Sequence, residues 1–145
     1  MKILETKRLY CRPFKDTKED LQLLLKLHGN NKEVNKYLLE FDIKPYLIWQ
    51  IEGQKKYGFS KWAVFLKVND EFIGKAGLTR HDQDKDRNYI KDKSKHKIAL
   101  GFAFLPKYWG EGYATEIAKA IINWTWKNVP NLIKIEAGTD ERNLA

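Results

Sequence analysis

Apolar positions change their period along this chain, and the changes mark its elements. Residues 8–14 alternate loosely, as a strand does. Pro13 cannot donate to a ladder, so this strand lies at an edge or ends there. Asp16 and Glu19 then stand at the spacing of a helix N-terminus. Leu21, Leu24, Leu25 and His28 mark one helical face, and Gly29 offers a stop. Asn31 caps a second predicted helix carrying Val34, Tyr37, Leu38 and Phe41. Pro45 opens a third, with Leu47, Ile48 and Ile51 ahead of Gly53 and Gly58. Such stripes are what a packed core requires, and none spells a cofactor box.

The period then drops to two. Residues 62–68 read as a strand, Asn69 and Asp70 as a turn, and residues 71–78 as the hairpin partner. Gly74 and Gly77 within that partner predict a bulge or a close backbone approach. Residues 81–97 are mostly charged. Asp82, Asp84 and Asp86 have the spacing that opens a calcium loop, but Arg87 stands at the sharp-turn glycine position and Lys93 at the closing carboxylate. A solvated, mobile loop between two strands is expected instead, with His81 and His96 as surface histidines. Residues 96–105 form a strand with Ile98, Leu100, Phe102 and Phe104 on one face, and Pro106 stops it. A helix is predicted from Thr115 to about Asn128, with Ile117, Ile121 and Trp124 as its stripe and Ala118 and Ile122 beside it. Pro130 and Asn131 break it, residues 132–137 form a last strand, and residues 140–143 turn. Strands that alternate with helices in this unequal way indicate an α+β domain.

Composition narrows the picture. A chain of 145 residues with 43% apolar and 13% aromatic content can bury a core as a single domain. The charged start lacks a signal peptide's apolar stretch, and no run approaches the roughly 18–20 apolar residues of a membrane span. A soluble, cytoplasmic protein is expected. Cys11 is the only cysteine, which excludes an internal disulfide and a cysteine-based zinc site. The net charge of +8 favours an anionic partner. A nucleic-acid or ribosome-binding module would suit that charge, with Trp and Tyr to stack on bases. Against it, the basic residues are scattered, and their densest stretch also carries Asp82, Asp84, Asp86 and Asp92.

The chemistry gathers at Gly110 and Gly112, between a strand and a helix. Glycines there allow positive φ and close approach of a ligand, and the helix start offers free N–H groups and a positive dipole end. That is a phosphate site or simply a tight turn. A dinucleotide-binding domain needs Gly-x-Gly-x-x-Gly/Ala directly after its strand. Here Thr115 fills the last position, and five residues separate Phe104 from Gly110. Glu136 does stand near the end of the next strand, where a ribose-binding acid belongs. No Gly-Lys-Ser/Thr follows, which excludes a Walker loop.

Residues 106–116 (Pro-Lys-Tyr-Trp-Gly-Glu-Gly-Tyr-Ala-Thr-Glu) closely resemble the acetyl-CoA loop of the GNAT N-acetyltransferases. They look most like the subgroup that acetylates ribosomal-protein N-termini. The loop pattern Gln/Arg-x-x-Gly-x-Gly/Ala falls on Trp109, Gly110, Glu111, Gly112, Tyr113 and Ala114, with Trp109 in place of the polar first residue. Residues 5–14, 72–78 and 100–106 resemble the subgroup's first, third and fourth strands, and Asn143 matches an asparagine after the fifth.

The resemblance implies a mixed, mostly antiparallel sheet with flanking helices, whose fourth and fifth strands run parallel and splay apart. It implies acetyl-CoA as co-substrate, no metal, and a primary amine as acceptor. The pantetheine arm would lie beside Phe102, Ala103 and Phe104, and the pyrophosphate over the N–H groups from Gly110 to Thr115. Glu111 beside that pyrophosphate requires its side chain to face solvent. The amine would attack the thioester directly, with a fourth-strand N–H on the oxyanion. A base must take the amine's proton. The subgroup often carries a Glu two residues before Gly101, and here that position is Ala99. His81 and Glu136 are substitutes on position alone, and Asn143 is a site residue for the pantetheine arm or a water. The family continues with a helix and two strands beyond the point matched by Ala145. A chain lacking them is expected to transfer acetyl groups weakly, and an exposed edge would invite a homodimer. A ribosomal protein is one acceptor the resemblance allows.

Overall fold

The computed structural model describes residues 2–28, 43–86, 88–92, 95–129 and 135–137. The helix predicted around residues 31–41, the turn at 140–143 and Asn143 lie outside these.

Six strands form one sheet in chain order: β1 (Leu4–Glu5), β2 (Leu9–Pro13), β3 (Lys61–Leu66), β4 (Phe72–His81), β5 (Lys97–Phe104) and β6 (Ile135–Ala137). Every neighbouring pair is antiparallel except β5–β6, which is parallel with Ile98 opposite Ile135 and Leu100 opposite Ala137. Among the described residues three helices pack around it: α1 (Lys18–His28), α2 (Lys44–Tyr57) and α3 (Tyr113–Asn128). This is the expected α+β architecture with its parallel pair at the fourth and fifth predicted strands. Only one β-α-β unit exists among the described residues. The remaining strands form an antiparallel meander, which removes the dinucleotide-binding alternative.

Alternation sorts the side chains. Leu9, Cys11, Trp62, Val64, Ala76, Leu78, Ile98, Leu100 and Phe104 share one face and are buried. α3 covers that face with Ile117 and Ile121, and Trp124 meets the Trp62 ring edge-on at 5.0 Å. The Trp62 indole N–H donates to Gln54 Oε1 of α2 at 2.8 Å, so the largest core side chain leaves no orphaned donor. The opposite face meets α1. There Arg12 donates two 2.8 Å bonds to Asp20, and Lys75 Nζ lies 3.0 Å from His28 Nε2. Both predicted glycine contacts in β4 are close backbone approaches. A Cβ on Gly74 would lie 2.3 Å from Ala103 O, and one on Gly77 would lie 2.1 Å from Ser60 O.

The structure corrects four local expectations. β1 was not foreseen, because two residues carry no period; Leu4 pairs with Cys11 across a turn. α2 runs through Gly53 and ends at Gly58, which is left-handed (φ 80°) and donates its N–H to Gln54 O. α3 starts at Tyr113, two residues before Thr115, because left-handed Gly112 (φ 80°) is itself the cap. The segment after β4 is bonded where a mobile loop was expected. Asp84 Oδ1 accepts the N–H groups of Asp86 and Asn88, both at 2.9 Å, and Gln83 bridges Tyr89. Among the described residues no three His, Cys, Asp or Glu side chains gather as a metal site. No helix of these residues is long and apolar enough to cross a membrane.

Candidate functional site

The end of β5 and the start of α3 enclose a cleft of about 200 Å³. Phe102, Phe104, Tyr108, Trp109, Gly110, Gly112, Tyr113, Ala114 and Thr115 line it. A short turn, Pro106–Tyr108, carries the chain from the strand to the loop. Pro106 ends the ladder because it has no N–H. The Trp109 indole N–H then donates to Phe104 O at 2.8 Å, fastening the loop to the strand it has just left.

Gly110 and Gly112 both have left-handed φ, 79° and 80°. No atom lies within 4 Å of where a Gly110 Cβ would be, so a ligand can approach that backbone. The first intrahelical bond of α3 runs from Glu116 N–H to Gly112 O at 3.1 Å. The N–H groups of Tyr113, Ala114 and Thr115 are therefore left at the helix's open end, where the dipole favours an anion. Beside them, β5 bonds β6 only over Ile98–Leu100. Gly101 to Phe104 have no strand on that side among the described residues.

The predicted cofactor residues divide by strand parity and exposure. Phe102, Phe104, Trp109, Gly110, Gly112, Tyr113, Ala114 and Thr115 come together in the cleft. Ala103 points to the other face, opposite Lys75. Glu111 is exposed and does not line the cleft, so its carboxylate stays in solvent. The base candidates separate too. His81 is exposed at the far end of β4, opposite Lys97. Lys97 is five residues from Phe102, about 17 Å along the strand. Glu136 instead sits in register with Ala99 on the neighbouring strand, with an oxygen 3.5 Å from Lys97 Nζ.

One cluster escaped the sequence reading. Glu116, in the first turn of α3, receives Arg8 Nε at 2.7 Å, Arg8 N–H at 3.0 Å and the Thr6 hydroxyl. Arg8 Nη1 donates to Glu111 O at 3.0 Å, and its guanidinium lies 4.4 Å from the Tyr113 ring centre. Burial pushes the Glu116 carboxyl upward, but the hydrogen bonds from Thr6 and Arg8 outweigh it and hold it below its ordinary value of 4.5. Tyr108, in the cleft lining, is pushed up to about 12 by burial and by its bond to Glu71.

Residues 8–145 match the model of the acetyltransferase (GNAT) domain. An uncharacterized protein of Bacillus subtilis (strain 168), YkkB, is 27% identical over 146 residues, covering 98% of this chain and 78% of YkkB. Among solved structures, a putative GnaT-family acetyltransferase from Bordetella pertussis matches with a TM-score of 0.69 at 16% identity, over 92% of this chain and 76% of that one. A putative ribosomal-protein-serine acetyltransferase from Vibrio cholerae matches with a TM-score of 0.65 at 16% identity, over 99% of this chain and 76% of that one. At such identities the solved structures establish the fold, while the domain match extends over nearly the whole sequence. The chain belongs to the GNAT acetyltransferase family.

Proposed function

We propose that this chain is an acetyl-CoA-dependent N-acetyltransferase acting on a primary amine. The carrying observation is the cleft itself. It joins a stretch of β5 that has no strand on its β6 side among the described residues to two left-handed glycines and the open end of α3. Gly110, Gly112 and the N–H groups of Tyr113, Ala114 and Thr115 suit a pyrophosphate. The strand from Gly101 to Phe104 suits the amide-bearing pantetheine arm, with Phe102 and Phe104 as its apolar wall. The bound thioester supplies the activated acetyl group. The chain's own part is to orient it, to offer a β5 N–H where negative charge develops, and to take a proton from the amine.

For that proton the geometry favours Glu136. Ala99 stands where the subgroup often has its carboxylate, and Glu136 is the adjacent residue across the parallel pair. Paired strands lie about 4.8 Å apart, so the carboxylate has moved by one strand spacing. Lys97 Nζ lies 3.5 Å from it, and in this reading the amine's proton passes to the carboxylate directly or through water. Asn143 remains a proposed pantetheine or water ligand on the resemblance alone. The acceptor is a protein N-terminus or a small amine. The Vibrio cholerae protein's description adds modest support for a ribosomal protein.

The test is CoA release from acetyl-CoA across a panel of N-terminal peptides, polyamines and aminoglycosides. Acceptor-dependent release is expected. Its pH profile should lose the acidic limb in Glu136→Gln. Release by no amine in the panel, from protein that binds CoA, would contradict the transferase reading.

A further inference from the structure

We propose that Arg8 and Glu116 form a clamp that positions the loop's anion-binding backbone; this rests on the CoA reading above. The loop has few anchors of its own. Two left-handed glycines flank Glu111, whose side chain is exposed. On one side Trp109 is tied to Phe104 O. On the other, Arg8 Nη1 holds Glu111 O.

That bond has a directional consequence. In a trans peptide the carbonyl and the next N–H point opposite ways. Fixing Glu111 O toward Arg8 therefore aims the Gly112 N–H away from Arg8. The guanidinium can do this only because it is itself fixed. Its Nε is held by Glu116, and its plane lies over Tyr113, the first residue of α3. Glu116 is fixed in turn by the Thr6 hydroxyl and Arg8 N–H, from the turn joining β1 to β2. The clamp thus links residues more than 100 positions apart.

Its second effect is electrostatic. A carboxylate in the first turn of α3 would repel an anion bound at that helix end. Paired with Arg8, it presents little net charge there. Arg8 is a positioning residue in this account: it acts through Glu111 and Glu116, not by touching the ligand.

Calorimetry on the 145-residue chain separates the possibilities, using CoA and pantetheine, which lacks the pyrophosphate. Arg8→Ala, Arg8→Lys and Glu116→Ala should each weaken CoA binding by about tenfold to a hundredfold. Pantetheine binding should change by less than roughly twofold, and the double alanine variant should be little worse than either single one. Lysine should not rescue, because it keeps the charge without the planar fork. Four results would overturn the clamp. Arg8→Lys could bind CoA like the parent, or Glu116→Ala could bind it more tightly; either would make Arg8 a direct phosphate ligand. Equal losses for CoA and pantetheine would reduce the pair to fold maintenance. Unchanged CoA affinity in all variants would remove the role altogether. If Arg8→Ala fails to fold, Arg8→Lys and Glu116→Ala still decide. Failure of the parent chain to bind CoA would instead sink the CoA reading beneath the proposal.

Discussion

Two arginines on the N-terminal side of the sheet each reach a helix carboxylate, and the pairs differ in what surrounds them. Arg12 meets Asp20 in two 2.8 Å bonds, with side chains 19% and 2% exposed. Asp20 also accepts Lys15 N–H at 2.6 Å, so α1 is fastened to β2 inside the protein. Arg8 meets Glu116 with side chains 41% and 20% exposed, and spends a further donor on the glycine loop. The buried pair fixes an element. The exposed pair holds the glycine loop proposed to bind CoA. Similar chemistry, a few residues apart in sequence, therefore serves stability in one place and site geometry in the other.

The sharpest test of this contrast is Asp20→Ala. It strands a largely buried guanidinium and should cost about 3 kcal/mol in denaturant unfolding, roughly 10 °C in melting temperature. CoA affinity should survive in the folded fraction. Glu116→Ala should cost only about 1 kcal/mol, since the pair is partly solvated. Equal stability losses would break the contrast. Next is Gly112→Asp, which puts a Cβ at left-handed φ, 3.5 Å from Arg8 Nη2, and a carboxylate that competes for the guanidinium holding the loop. CoA binding should fall by about a hundredfold or more, with the fold retained.

A smaller effect follows from pH. Asp20 feels burial most, but its bonds to Arg12 and Lys15 hold it below its ordinary 3.8; Glu116 is likewise held below 4.5. Both carboxyls contribute stability that is present above those ordinary values and lost as pH falls through the lowered folded ones. Acid unfolding should therefore begin below about pH 4.5, and Asp20→Asn should flatten that limb more than Glu116→Gln does. The smallest expected signal is at Cys11, fully buried and pushed up to about 12 by burial. A thiol reagent should find no reactive group until the chain unfolds. Rapid labelling of the folded chain would show that the face between β2 and α3 opens.

How far the sequence carried depended on range. β3, β4 and β5 were legible because alternation held over six residues or more and turn residues bounded it. β1 was not, since two residues have no period. The start of α3 slipped because Gly112 caps through its own conformation, with no Ser, Thr or Asp to announce it. The cleft was legible because its lining is nearly contiguous, from Phe102 to Thr115. Glu111 was read with its side chain in solvent and is exposed, while strand parity puts the Ala103 side chain on the face opposite Phe102 and Phe104. The Arg8–Glu116 link lay within two segments already matched to the family, yet no spacing rule joins residues 108 positions apart. Glu136 gained weight from register, which brought it beside Ala99.

The central claim is that the backbone-built cleft at β5 and α3 binds CoA. Thermal unfolding of this chain in rising CoA, with NAD as a parallel titration, tests it most directly. Binding to the folded state alone should raise the melting temperature by mass action, about 2.7 kcal/mol of added stability at a hundredfold excess over Kd. The rise should appear with CoA, be lost in Gly112→Asp and be absent with NAD. A flat response to saturating CoA, or an equal rise with NAD, would contradict the account.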